Sequence, residues 1–495
     1  MRPWHEEVHA IANLFTDNWD DELLRGNFTD LILQLAVEQP LKTPFTAAVI
    51  TVANGARPEI VDMLLTKLSA AIEKKIGEGE WRDVKLYLKL LACLQGILEG
   101  EGIFPVLEEL FARAVDLQTA SSEDTIGTEI VKIILLTLPY VMVAAPGQWQ
   151  QKAAELMDKT EVIAGEPHVL QALIEPYHPE KDEENPNTST SLIMLLQQQL
   201  QAEANNGWTV SCLPRPLEFS DPEQLSKLSN AAKHSLPAVN VPETVVAGPR
   251  PLFPEVYFSV YANQDVQSVP PVTNSAASLI RDALLDTINI LDFNRNVTAR
   301  HLIEMDCFFA PRTFAARATP FDRLRDIEPP KSTWKPEDVA VDAVFSQLFQ
   351  LPTPEHKLVY FHAVLTEACK LAPAAIAPSL GRAIRFLYRN IHRLDLELVM
   401  RFTDWFAHHL SNFGFTWKWT EWVEDVYLPD LHPSKAFIAG AIDKEIRLSF
   451  AQRISGTLPE PYRVLIGPEK EKEIPDFKFK DDRECPSSLS CFYHM

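Results

Sequence analysis

Cysteine and glycine are scarce in this sequence, and the few glycines form no nucleotide-binding loop. The 495 residues include six cysteines, without a Cys-x-x-Cys pair, and 17 glycines. Scattered cysteines are typical of a reduced, intracellular protein and exclude a zinc-ribbon site. No Walker A, G-x-G-x-x-G or G-x-S-x-G motif occurs. We therefore assign no catalytic residue, no cofactor and no metal ligand, and we predict that the protein is not an enzyme.

Positive charge is also in short supply. Lysine and arginine number 46 against 68 acidic residues, so the formal net charge is −22. An average surface of this sign repels phosphate, which argues against tight binding of RNA or DNA by bulk electrostatics. If RNA is involved, a protein partner has to supply the basic or aromatic site that holds it.

Long hydrophobic runs are missing as well. The first fourteen residues do not have the basic start and apolar run of a secretory signal. The longest apolar run, residues 130–145, is interrupted by Lys132, Thr137 and Pro139, and it falls short of the roughly 20 residues needed to span a bilayer. We expect a buried helix there and no membrane partner.

Amphipathic helices alternate with short breaks from Phe28 to about Ile174, and strand-like alternation is almost absent. Repeated helices of this kind predict an all-α fold of stacked antiparallel helical hairpins, an α-solenoid of the HEAT-like type. The clearest apolar stripes are Phe28, Leu31, Ile32 and Leu35; Val61, Leu64, Leu65, Leu68 and Ile72; and Val84, Tyr87, Leu88 and Leu91.

Proline content suggests where the domains divide. Residues 236–274 are rich in proline and predict a semi-rigid linker between a helical domain at 1–235 and a second one at 275–482. Residues 483–495 form an atypical tail with Cys485 and Cys491. The polar segment Glu180 to Thr190, with its acidic run Lys181 to Glu184, predicts a solvated loop. In the second domain we expect one helix to begin at Pro336 and the next near Thr353 to Glu355.

One block is unusually aromatic: residues 401–422 hold four of the ten tryptophans and four phenylalanines. A helical stripe followed by an end at Ser411, Asn412 and Gly414 predicts a core helix, then an extended connector and a second helix near Glu421. We interpret most of the rings as core and His409 as a hydrogen-bonded core histidine. The stripe comprises Phe402, Trp405, Phe406, His409, Leu410 and Phe413, and Phe413, Phe415, Trp417 and Trp419 then alternate at period two.

This block also supplies candidates for a partner surface, among them His408, which points away from the stripe. Trp417 and Trp419 are of the type that stacks on a methylated guanine. However, Lys418 is almost the only cation nearby and acidic residues crowd the segment, so we favour a protein partner over RNA. The candidates for this surface are His408, Trp417, Trp419 and Trp422.

The segment His5-Glu6-Glu7-Val8-His9 satisfies the zinc motif H-E-x-x-H. A zinc hydrolase also needs a third ligand and a strand edge for its substrate, and neither is indicated by the sequence. We therefore favour a frayed polar helix with Val8, Ile11 and Leu14 or Phe15 facing the core, and keep the hydrolase as a remote alternative.

Several long segments together resemble the large subunit of the nuclear cap-binding complex, closest to its fungal form. They are DWFAHHLSNFGFTWKWTEW (404–422), VYFSVYANQDV (256–266), SLIRDALLDTINILDFNRN (278–296), VFSQLFQLPTPEHKLVYFHAVLTEACKLAP (344–373) and KEIRLSFAQRI (444–454). The resemblance runs to about Asp482. It implies domains similar to the middle domain of translation initiation factor four-G, of which the family has three; we expect two here, the third being absent.

The resemblance also implies a function. In this family a small subunit, an RNA-recognition-motif protein, holds the capped RNA and docks largely against the second and third domains of the large subunit. The large subunit is a non-catalytic nuclear scaffold that shuttles to the cytoplasm and recruits splicing, export and decay factors. The Arg/Lys-rich leader that would serve nuclear import is not seen ahead of Trp4, so import of this chain is left undecided. The alternative is another helical scaffold, of translation or mRNA surveillance, that binds an RNA helicase.

Overall fold

A computed structural model describes residues 4–178, 191–218, 220–262 and 264–467. The predicted loop at Glu180 to Thr190 and the tail after Asp482 lie outside these residues. Within them the chain forms helices and two isolated β-bridges, with no strand. The α-helices are α1 (Trp4–Asp17), α2 (Glu22–Glu38), α3 (Thr43–Asn54), α4 (Glu59–Glu78), α5 (Trp81–Cys93), α6 (Phe104–Ala120), α7 (Thr125–Ala144), α8 (Gln150–Ala164), α9 (Leu192–Asn205), α10 (Pro222–Ser229), α11 (Ser275–Ile290), α12 (Arg295–Ile303), α13 (Pro336–Leu348), α14 (Leu358–Leu371), α15 (Pro373–Arg389), α16 (Leu396–Asn412), α17 (Pro433–Leu448) and α18 (Ala451–Thr457).

Short 3₁₀ helices connect some of these elements. They are Pro40–Lys42, Gln95–Ile97, Gln171–Leu173, Met305–Phe308, Phe321–Asp326, Trp419–Tyr427 and Glu460–Leu465. Most of the α-helices pack mainly on the next one or the next but one in sequence, as in α4 with α5, α6 with α7, α1 with α3, α5 with α7 and α12 with α14. Stacked helical hairpins produce this pattern. The predicted all-α, solenoid-type fold is confirmed.

Polar side chains define where several helices begin. Asp21 accepts a hydrogen bond from the amide of Leu24 at the start of α2, and Asp124 accepts one from the amide of Gly127 at the start of α7. Asp395 caps α16 in the same way. Such caps satisfy amides that have no partner inside the helix, and each contributes about 1 kcal/mol.

Most of the predicted stripes are buried, but their details differ in three places. In the first stripe Ile32 is buried whereas Leu31 is exposed. In α1 the buried residues are Val8, Ala12 and Phe15, while Ile11 and Leu14 are exposed. The prediction for α1 favoured the larger side chains of Ile11 and Leu14. In the structure α1 packs on α3, and the small side chain of Ala12 is buried instead.

The start of α13 at Pro336 is confirmed, but the helix predicted from Thr353 to Glu355 begins later, at Leu358. Glu355 instead lies in the preceding loop, where its carboxylate is bonded to the guanidinium of Arg82 on α5. Glu355 thus forms a long-range ion pair with Arg82 and is not part of the helix.

Helix α7 contains the longest apolar run. It is 20 residues long and apolar enough to cross a membrane by length and composition, but 78% of that stretch is buried inside the protein. Pro139 lies inside the helix, and Lys132 forms ion pairs with Glu129 and Glu255. The prediction of a buried helix is confirmed, although the helix is longer than the run suggested.

The chain divides into two compact units, unit 1 (Met1–Phe386) and unit 2 (Leu387–Met495), and the boundary falls within α15. It does not coincide with the segment 236–274. In the structure that segment packs along unit 1: the carbonyl of Pro237 accepts a hydrogen bond from Ser69, and that of Val246 accepts one from the indole of Trp81. The division into domains at 1–235 and 275–482, with a semi-rigid linker between them, stays a prediction.

Buried ion pairs join the two predicted domains inside unit 1. From α5, the ammonium of Lys85 lies 2.6 Å from Asp282 and 2.9 Å from Asp286, both on α11, and Lys89 also bonds Asp282. Burial alone would raise the pKa of Asp282, but the two ammonium groups override it and hold that pKa well below its usual range. Asp282 is therefore charged in the folded protein, and it is held in place by both lysines.

Removing one member of this cluster should be costly. We expect Asp282→Leu to lower the free energy of unfolding by about 3–5 kcal/mol, because it leaves two buried ammonium groups with one carboxylate. Thermal unfolding, with hydrogen exchange of α5 and α11 as a local measure, tests this. The control is Glu223→Gln, which breaks an exposed pair with Lys227 and should leave stability nearly unchanged, because solvent screens such a pair. Equal effects of the two variants would contradict the role given to the cluster.

Candidate partner-binding surface

Helix α16 carries the aromatic stripe predicted from the sequence. Phe402, Trp405 and Phe406 are fully buried, and His409 and Leu410 nearly so. The helix ends at Asn412, and Gly414 and Phe415 follow with positive φ angles of 70° and 59°. This left-handed turn ends the helix where Asn412 and Gly414 predicted its end. The prediction of a core helix with this end is confirmed.

The connector after α16 alternates as predicted, because Phe415 and Trp419 are buried while Gly414, Thr416 and Lys418 are exposed. The second helix begins at Trp419, slightly earlier than expected, and is of the 3₁₀ type. It is held by the hydroxyl of Tyr462, which donates a hydrogen bond of 2.6 Å to the carbonyl of Trp419.

Two of the four candidate surface residues are interior. Trp419 is 1% exposed and Trp422 is 6% exposed. The ring of Trp422 stacks on Tyr388 with 3.9 Å between centroids, and Trp419 packs edge-on against Phe406. Neither ring is accessible for stacking on a base. The period-two alternation was the signal for this burial, since it puts Trp419 on the same side as Phe415.

The other two candidates, His408 and Trp417, are half-buried. Trp417 packs on Phe406 and Trp422, at 5.6 and 5.2 Å between ring centroids, so part of its ring also belongs to the core. His408 lies on the side of α16 away from the stripe. Whether a partner contacts either residue stays a prediction.

The outer face of α16 exposes residues that the sequence analysis missed. Leu396 and Met400 are both exposed, and they lie one turn apart on the side where His408 also lies. Further apolar side chains exposed in unit 2 are Tyr427, Leu431, Leu448, Phe450 and Val464. The available signal was that Leu396 and Met400 are out of phase with the aromatic stripe. We call Leu396, Met400 and His408 the outer α16 surface.

The charge of this region favours a protein over RNA. Asp395 and Glu397 lie at the start of α16, and Lys418 in the connector pairs with Glu421 at 3.4 Å. Glu397 is in turn paired with Arg401 at 2.8 Å, so the charges are largely matched and leave no cationic patch for phosphate groups. The chemistry available is apolar contact, with methionine supplying an adaptable side chain.

His409 is a core histidine, but its surroundings are apolar. Its ring lies 5.3 Å from that of Trp405 and 4.8 Å from that of Phe413, and its Nδ1 has no hydrogen-bond partner among the described residues. Burial, with a smaller contribution from His408, lowers the pKa of His409 to about 4. The predicted position in the core is confirmed, and the hydrogen bond predicted for the ring stays a prediction.

Glu445 on α17 is a buried carboxyl group that the sequence analysis did not single out. It has no solvent exposure, and neither of its carboxylate oxygens has a hydrogen-bond partner within the described part of the chain. Burial raises the pKa of Glu445 to about 8. The side chain is therefore protonated in the folded protein at neutral pH.

This burial predicts a pH-dependent stability. The pKa of Glu445 in the folded protein lies above the ordinary 4.5, so below pH 4.5 this group does not make the free energy of unfolding depend on pH. As pH rises from 4.5 towards 8, the group lowers the free energy of unfolding increasingly, by about 3 kcal/mol at pH 7. We expect Glu445→Gln to raise the melting temperature at pH 7 and to have little effect near pH 4.5. Glu424→Gln, at an exposed position of unit 2, is the control. A benefit that did not grow with pH would count against a buried, protonated Glu445.

The two histidines of the H-E-x-x-H segment both lie on α1. The Nε2 of His9 is 3.0 Å from the hydroxyl of Ser220, and burial together with His5 lowers the pKa of His9. Across residues 4–178, 191–218, 220–262 and 264–467, no group of three or more His, Cys, Asp or Glu side chains is placed to hold a metal ion. The hydrolase alternative therefore rests on the motif alone.

Metal analysis of the purified protein tests that alternative directly. We expect zinc well below one equivalent, unchanged by His5→Ala, because two imidazoles without a third ligand form a weak site. One equivalent of zinc that is lost in the His5→Ala variant would restore the hydrolase interpretation.

Comparison with known proteins defines the class of this fold. Residues 270–460 match the family model described as MIF4G like. The match spans α11 to α18, and so covers the C-terminal part of unit 1 and most of the described part of unit 2. The chain is thus an all-α protein with a MIF4G-like domain.

Over most of its length the chain is also similar to particular proteins of fungi. It is 32% identical to nuclear cap-binding protein subunit 1 of Schizosaccharomyces pombe, over 96% of this chain and 60% of that protein. It is 27% identical to nuclear cap-binding protein complex subunit 1 of Eremothecium gossypii, over 89% of this chain and 54% of that protein. For the protein of that name in Saccharomyces cerevisiae the identity is 26%, over 94% and 58%.

These matches confirm the resemblance to the large subunit of the nuclear cap-binding complex. The chain spans 54% to 60% of the length of these relatives. Their names denote subunits of a complex, and none of them denotes an enzyme.

Proposed function

We propose that this chain is a non-catalytic scaffold subunit of a nuclear mRNA cap-binding complex. The observation that carries the proposal is the similarity to the S. pombe subunit, which extends over 96% of the chain. The all-helical fold supports it, because stacked helices provide large surfaces for protein partners. The names of the relatives support a nuclear location, and recruitment of RNA processing, export and decay factors belongs to the same proposal.

Charge argues that capped RNA is bound indirectly. With a net charge of −22, this chain attracts neither the phosphates of RNA nor those of the cap. A small cap-binding subunit with an RNA-recognition motif would hold the cap, and the scaffold would bury mobile segments of that subunit. Ordering these segments before the cap binds lowers the entropy cost of forming the cap pocket.

The outer α16 surface is our candidate for part of the docking site. It lies within the MIF4G-like match, and it presents two exposed aliphatic side chains, Leu396 and Met400, on a helix whose opposite face is fixed by aromatic packing. A rigid helix loses little conformational freedom on binding, so more of the contact energy contributes to affinity.

Calorimetry with the small cap-binding subunit, with and without a capped dinucleotide, tests the proposal. We expect binding that strengthens with the cap analogue. Leu396→Asp/Met400→Asp should weaken it about tenfold or more, because two charged groups replace apolar contacts. Val162→Asp/Leu173→Asp in unit 1, at equally exposed positions, is the matched control and should bind as the parent does.

The outcomes separate the proposal from its rival. No binding by this chain, together with binding by a version as long as the relatives, would show that residues 1–495 do not suffice. Binding of an RNA helicase without the small cap-binding protein would instead favour a scaffold of translation or mRNA surveillance. Equal losses in the two double variants would remove the outer α16 surface from the docking site.

A further inference from the structure

Helix α2 carries two apolar stripes, and one of them is not covered. The inner stripe, Thr29, Ile32 and Ala36, is buried against the rest of unit 1. The second stripe follows the spacing i, i+4, i+7, i+11, which places its members on one face of the helix. It consists of Leu24, Phe28, Leu31 and Leu35, of which Leu31 is 48% exposed and the others are half-buried.

Helix α1 continues this surface. The ring of Phe15 stacks on that of Phe28 with 3.9 Å between centroids and joins the two helices. Ile11, one turn before Phe15, is exposed, and Leu14 is 68% exposed. We call Ile11, Leu14, Leu24, Phe28, Leu31 and Leu35 the N-terminal surface. Contiguous exposed apolar patches on folded chains are candidate sites for a partner.

The two helices that carry this surface are mostly acidic. Between Trp4 and Glu38 the sequence has eight acidic residues and one basic residue, Arg25, so the formal charge of the two helices and their turn is 1 − 8 = −7. Arg25 is held at the turn, where it donates a hydrogen bond to the carbonyl of Trp19 and lies 5.3 Å from its ring. Of the acidic residues, Asp30 pairs with Lys67 of α4.

We propose that the N-terminal surface binds a basic amphipathic helix of a protein partner. A helix that presents leucine-like side chains on one face would fit the apolar stripe, in the way amphipathic helices dock into grooves. Lysine or arginine on its flanks would meet the surrounding carboxylates. Nucleic acid and anionic lipid are repelled by the same charge, and so is a second copy of this surface.

The position of this surface makes the proposal separate from the function proposed above. The N-terminal surface lies in unit 1 and outside the MIF4G-like match, whereas the outer α16 surface lies in unit 2. Binding here does not require the small cap-binding subunit, and its test uses no component of that complex.

A synthetic peptide of leucine and lysine, with leucine at helical spacing, is a suitable probe for the whole chain. Two further peptides are the comparisons: one with the same composition in scrambled order, and one with glutamate in place of lysine. We expect the first peptide to bind, measured by fluorescence anisotropy, and the other two to bind at least about tenfold more weakly. Added salt should weaken binding, because it screens the carboxylates.

Two sets of variants locate the site. Leu14→Ser/Leu31→Ser should weaken binding of the peptide about tenfold, since it removes two apolar contacts. Asp17→Asn/Asp20→Asn/Glu38→Gln should weaken it and reduce its dependence on salt. The matched control is Val162→Ser/Leu173→Ser, which alters exposed apolar residues elsewhere in unit 1 and should leave binding unchanged. Circular dichroism verifies that each variant is folded.

Four results would overturn the proposal. Equal binding of the scrambled peptide would show that charge alone attracts the probe, and equal binding of the glutamate peptide would remove the role of the carboxylates. Unchanged affinity in the Leu14→Ser/Leu31→Ser variant would place the site elsewhere. Self-association of the chain that this variant abolishes, without peptide binding, would identify a second copy as the occupant.

Discussion

The buried ion pairs between α5 and α11 are the contact on which unit 1 depends. Lys85 and Lys89 come from the first predicted domain, and Asp282 and Asp286 come from the second. Charges buried in this way add little net stability compared with apolar side chains, but they tolerate no other partner. A shift of either helix would separate these charges while they stay buried, so the pairs favour the observed register within the compact unit that extends to Phe386.

Helix α11 connects these ion pairs to other buried charged groups. On one face Asp282 and Asp286 meet α5, while the neighbouring Arg281 bonds Asp342 on α13 and donates a hydrogen bond of 2.7 Å to the carbonyl of Phe258. A shift of α11 along its axis would break both sets of pairs. Through Phe258, part of the proline-rich segment is tied to the same helix as α5.

The sequence predicted most of the helical stripes, but it did not predict the partners of the buried charged residues. The stripe at Val61, Leu64, Leu65, Leu68 and Ile72 was predictable because its members share one face of α4, and each is fully buried. In contrast, the charged residues of α5 and α11 have the spacing of a solvated face, and nothing local indicates that their partners lie about 200 residues away.

The aromatic block of unit 2 could also be predicted only in part from the sequence. The sequence predicted its burial, but it could not separate Trp419 and Trp422, which are core, from Trp417, which is half-buried, because ring type does not encode depth. The same packing explains why the exposed residues nearby are aliphatic. Aromatic rings bury more area and fix their neighbours through edge and face contacts, so Phe402 and Phe406 hold α16 rigid from one side. Leu396 and Met400 on the other side are then presented at fixed positions, which is the condition under which small apolar side chains contribute most to the recognition of a partner.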